Sequence, residues 1–131
     1  MKTKILIIIV IIFISCDYFD NRLKIKNNSN YAIAFDFSQD TIFNSINNVQ
    51  AVLNNNIQPI GIKYFSMPGS RRSWSNYINN SKNKKLNIFI FSVDTLYKFY
   101  NWNYIISNKL YKRYEFTEDE LDKMNWTIEY P

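Results

Sequence analysis

The chain has 131 residues, with 16 Lys and Arg against 11 Asp and Glu, and no histidine. That size carries one domain with its own core, and a formal charge of +5 without an RNP, zinc-finger or basic-helix pattern argues against a nucleic-acid partner. Missing histidine removes the commonest general base and metal ligand, while one cysteine and two glycines exclude a disulfide, a zinc site and a glycine-rich phosphate loop.

Lys2 and Lys4 precede an unbroken apolar run, Ile5 to Ile14. Ten residues reach roughly 15 Å as a helix, about half a hydrocarbon core, which suits the apolar region of a secretory signal. The run ends in Phe13-Ile14-Ser15-Cys16, which resembles the lipobox of bacterial lipoproteins. The resemblance implies cleavage before Cys16 and attachment of diacylglycerol to its thiol. More than one acyl chain is what stable anchoring requires. Residues 1–15 are then signal peptide, and 16–21 are a lipidated cysteine with a short tether. Residues 22–131 form one β-rich domain, and the chain from Cys16 onward has a net charge of +3 once Lys2 and Lys4 are gone. The 23 aromatic residues (10 Tyr, 10 Phe, 3 Trp) favour strands and supply core area without disulfides.

Residues 22–26 and 31–37 alternate polar and apolar around the turn cluster 27–30, which predicts a β-hairpin. Residues 38–59 read as loop with a helical turn near 49–53. A strand is expected over 60–67 and a turn over 68–70, followed by a short helix over 73–78 with Trp74, Tyr77 and Ile78 at i, i+3, i+4. Leu86 to Ser92 is the most apolar stretch after the signal and reads as a central strand. Asp94-Thr95 suit a cap. Residues 101–107 read as a short helix and 110–116 as an alternating strand. Thr117-Glu-Asp-Glu120 is a capping box opening a helix to Met124. Residues 126–130 make the last strand. About six strands and three short helices predict a mainly β fold, an antiparallel sheet or a small Ig-like β-sandwich, with α+β as the alternative.

The strand ending near Asp94-Thr95, Trp102 to Ile105, Lys112 to Tyr114, Asp119 to Leu121 and the closing Asn125-Trp126-x-Ile128-x-Tyr130-Pro131 resemble a group of small lipoproteins of Bacteroidetes-type bacteria. The resemblance implies a single domain in the cell envelope, most simply at the outer membrane on its periplasmic or surface face. It brings no catalytic residue and no cofactor. Asp40-Thr41-Ile42 and Asp94-Thr95-Leu96 resemble the O-glycosylation sequon of such bacteria, and are equally good turn or cap signals.

Glu115, Glu118, Asp119, Glu120 and Asp122 cluster in sequence, as expected of a solvated helix start rather than a carboxylate pair across a cleft. Serines 70, 73 and 75 have no histidine to activate them. Arg71 and Arg72, with Trp74 and Tyr77, are the candidate interaction residues, suited to anionic headgroups or an acidic partner. These features predict a non-catalytic, membrane-anchored module that binds an envelope protein or glycan; an immunity-type lipoprotein that neutralises a toxin is the alternative.

Overall fold

A computed structural model describes residues 18–43 and 48–131. The signal segment, Cys16 and Asp17 lie outside the described residues. Nine strands and five short helices occur among those described, a mainly β fold with short helices, as the sequence predicts. In chain order they are β1 (Phe19–Asp20), β2 (Lys24–Asn27), β3 (Ile33–Ser38), α1 (Val49–Leu53), β4 (Asn56–Ile57), β5 (Ile62–Tyr64) and β6 (Met67–Pro68). Then come α2 (Ser73–Asn80), β7 (Leu86–Ser92), α3 (Val93–Phe99), α4 (Trp102–Ser107), β8 (Lys112–Phe116), α5 (Glu118–Lys123) and β9 (Thr127–Tyr130).

The strands form a four-stranded sheet ordered β4-β3-β7-β8, a three-stranded sheet ordered β5-β2-β9, and a ribbon of β1 and β6. The four-stranded sheet explains the continuous apolar run of β7. Leu86, Ile88 and Ile90 point to one side, where they meet Ile25, Ile128 and Tyr130 of the other sheet, with Leu23, Trp74, Ile78, Leu121 and Trp126. Phe89 and Phe91 point to the opposite side, onto Val49, Val52 and Leu53 of α1, Leu96 of α3 and Ile105 of α4. The result is three layers: sheet, sheet, helices. A strand covered on both faces has no position where a side chain reaches water, so the pattern is apolar from Ile88 to Phe91, and the buried Asn87 before it has its amide bonded to Asn83, Lys85 and Ser38. Each fully buried Phe or Ile contributes about 1.5–3 kcal/mol.

The expected hairpin does not form. β2 pairs with β5 and β9, whereas β3 pairs with β4 and β7, so the two strands lie in different sheets. Asn27 makes the corner between them. It is fully buried, and its side-chain amide donates to the carbonyls of Tyr31 (2.8 Å), Gln58 (3.1 Å) and Ile57 (3.3 Å). Its Oδ1 accepts from the Ser29 amide and hydroxyl. Alternation gives the Leu23/Ile25 and Ile33/Phe35 faces that pack between the sheets, but it does not show that Ala34 on the opposite face of β3 is buried as well, and it carries no information about the partner strand. A second departure is that β9 runs parallel to β2, with Ile25 opposite Ile128, so the three-stranded sheet is mixed rather than wholly antiparallel.

The expected strand over 60–67 is two short ones. Between β5 and β6, Phe65 turns inward and meets the rings of Phe35 at 4.8 Å and Phe37 at 5.6 Å. The turn before β5 closes with the Gly61 amide donating to the Gln58 carbonyl, and places Ile60 at φ 57°. That is a conformation β-branched residues rarely adopt.

Candidate functional site

The N-terminal edge of the fold lies further upstream than Arg22. Phe19 pairs with Pro68 and Asp20 with Met67, and the Gly69 amide donates to the Tyr18 carbonyl at 2.9 Å. This ribbon places the 69–72 turn, including Arg71 and Arg72, beside the first described residue. Both arginines are exposed. The Arg71 guanidinium lies 5.9 Å from the Tyr18 ring, and Tyr18, Ser70 and Arg71 line a shallow depression of about 430 Å³.

Trp74 does not share that surface. It is 2% exposed and packs edge-on against Phe37 and Tyr77; the helix turns its i, i+3, i+4 stripe into the core, so Trp74 is corrected from an interaction residue to a packing one. Its indole N–H has no hydrogen-bond acceptor among the described residues. Tyr77 is half-buried, and burial, with the nearby Asp36 charge, pushes its phenol up to about 12.

Asp20 locks the ribbon to the body. Its side chain is fully buried; Oδ1 accepts from Arg22 Nε and Oδ2 from Arg22 Nη2, both at 2.8 Å, and Oδ2 also accepts from the Trp74 amide at 3.0 Å. Burial raises the carboxyl's pKa, but the Arg22 and Trp74 bonds and the Arg22 charge outweigh it, leaving Asp20 below the usual carboxylate range. Arg22 Nη2 donates onward to Ser75 Oγ at 3.0 Å, and the Ser75 hydroxyl donates to Glu118. The guanidinium also lies 3.9 Å from the centre of the Trp126 ring, a cation–π contact. Trp126 donates through Nε1 to Asp122 at 2.6 Å.

One network therefore joins β1, α2, α5 and the start of β9, beside a depression of about 550 Å³ lined in part by Arg22, Asp122 and Trp126. By sequence Asp20 falls in the tether of residues 16–21, so this network is not visible there. Only the Asp20-x-Arg22 spacing hinted at it, because Ser75 and Glu118 are brought in by tertiary folding.

The acidic cluster is dispersed among separate tasks. Glu115 accepts from Lys85 at 2.8 Å and Arg113 at 3.1 Å. Glu120 completes the capping box with Thr117, whose two bonds hold its carboxyl below the usual range. Glu118 and Asp122 belong to the network above, and Asp119 is exposed. No group of three or more His, Cys, Asp or Glu suited to a metal occurs among the described residues. Thr41 offers its carbonyl to Arg113 Nη1 at 2.6 Å. Thr95 lies inside α3, whose first residue follows the cap Ser92 rather than Asp94.

A second exposed surface, absent from the sequence reading, lies on the helical layer. Tyr97, Tyr100 and Tyr104 are 64%, 58% and 46% exposed. The Tyr104 ring lies 4.9 Å from that of Phe99. Tyr100 and Trp102 line a depression of about 230 Å³ with Asn48, Val49 and Gln50. The α3–α4 junction has no glycine: Tyr100 takes the left-handed conformation that ends α3, and Asn101 caps α4 through its side chain. Comparison of the chain with family models, with curated proteins and with solved structures gives no match.

Proposed function

We propose that the chain is an envelope lipoprotein, anchored through acyl chains on Cys16 at the outer membrane, whose β domain works by binding rather than catalysis. The observation that carries this reading is the apolar run ending in Phe13-Ile14-Ser15-Cys16. A binding role is supported by the fate of the charged groups. The carboxylates of Asp20, Glu115, Glu118, Glu120 and Asp122 all serve bonds that hold the fold. Exposed tyrosines offer a partner broad contact area at low side-chain entropy, and the exposed Tyr97, Tyr100 and Tyr104 are the residues this reading assigns to contact with an envelope protein or glycan.

Metabolic labelling with palmitate tests the anchor. Label on the native chain and none on Cys16→Ser, with the variant lost from the membrane fraction, is the expected result. An unlabelled native chain, or a variant that still fractionates with membranes, contradicts it. Pull-down from solubilised envelopes and a glycan array then separate the two partner classes, and both should weaken on Tyr97→Ala/Tyr100→Ala.

A further inference from the structure

We infer that the corner formed by Tyr18, Phe19, Arg71 and Arg72 rests on the anionic headgroup surface of the bilayer holding the Cys16 acyl chains, so that the domain docks in one orientation. The inference depends on the lipid-anchored reading. Tyr18 is two residues beyond Cys16, so covalent geometry keeps it within about 7 Å of the anchored residue.

What lies at that point is suited to a headgroup layer. Tyr18 and Phe19 are 51% and 47% exposed, and aromatic side chains favour the membrane–water interface. The β1–β6 pairing brings Arg71 and Arg72 alongside. Among the described residues, neither guanidinium has a carboxylate partner, whereas those of Arg22 and Arg113 do. The nearest described acid in sequence, Asp20, is buried and committed to Arg22. Two cations without a described counter-ion, beside two exposed aromatics and next to a lipid attachment point, complement a phosphate-bearing surface.

The corner also moves with the domain. Asp20 ties β1 to the first turn of α2 through the Trp74 amide, so fixing the corner fixes the whole fold. Two arginines at an anionic surface shift the docked equilibrium about thirty-fold.

The test uses the native protein purified from envelopes, in phosphatidylcholine vesicles with and without phosphatidylglycerol. Trypsin cleavage after Arg71 and Arg72 is followed by mass spectrometry, with cleavage after the exposed Lys109 as internal reference. The expected result is that phosphatidylglycerol slows cleavage at Arg71 and Arg72 relative to Lys109, by up to about thirty-fold, and that high salt reverses the effect. A chain that floats with the vesicles but shows the same relative cleavage on both overturns the docked corner and leaves the anchor standing. A chain that fails to float with either overturns the anchor, and the corner with it.

Discussion

Replacing Asp20 with alanine removes the acceptor of two Arg22 bonds at 2.8 Å and of the Trp74 amide at 3.0 Å. Breaking a buried pair costs about 3–5 kcal/mol. The Arg22 side chain is 34% exposed, so water recovers part of that. The Trp74 amide at the start of α2 is left without its acceptor, at about 1–3 kcal/mol. Because these penalties overlap, the expected loss is about 3 kcal/mol, which lowers the urea midpoint by roughly 2 M at a slope near 1.5 kcal/mol/M. Tryptophan fluorescence follows the transition, since Trp74 and Trp126 are both buried.

The pH dependence carries an independent sign. Asp20 is depressed below its ordinary value of 3.8. Its contribution is therefore fully present above about pH 4 and is lost as pH falls through the folded-state value. Asp20→Ala should lack that acid-dependent component. A loss under about 0.5 kcal/mol, or an unchanged acid dependence, would refute the assignment of this carboxylate as the lock between ribbon and body.

Four further outcomes follow from particular residues. Ile60→Gly should raise the melting temperature by several degrees, about 1 kcal/mol, because a glycine relieves the left-handed strain at an exposed position; a lower melting temperature contradicts this. Gly61→Ala should do the opposite, since its Cβ would meet the Gln58 carbonyl oxygen at 2.9 Å. Thr117→Ala should cost about 1 kcal/mol in urea unfolding by removing the α5 cap. Tyr77, raised to about 12, contributes stability below pH 10 that is lost as pH climbs through 12; absorbance titration of the phenols should show a late-ionising tyrosine that disappears in Tyr77→Phe.

How far the residues themselves revealed this fold depended on whether the signal was local. The capping box at Thr117 and Glu120, the helical turn at 49–53 and the apolar run of β7 are each set by neighbours within a few positions, and each forms where the pattern places it. Helix α3 follows β7 directly at Ser92, so the apolar spacing Val93, Leu96, Phe99 that packs it onto the core is separated from the strand by no turn signal in the sequence. Strands β1, β4 and β6 have two residues each, too few to show alternation. Strand partners were opaque for a different reason: the corner at Asn27 depends on carbonyls some 30 residues away. The candidate site divides in the same way. Arg71 and Arg72 are exposed as expected, whereas the same helical spacing that flagged Trp74 turned it into the core.

The proposed envelope anchoring rests on Cys16 becoming the first residue of the processed chain and carrying lipid. Intact-mass measurement of the native protein purified from envelopes, with fragmentation of its N-terminal peptide, tests it directly. The expected product is a chain beginning at Cys16 with a diacylglyceryl thioether. A chain that begins elsewhere, or a free Cys16 thiol, would contradict it.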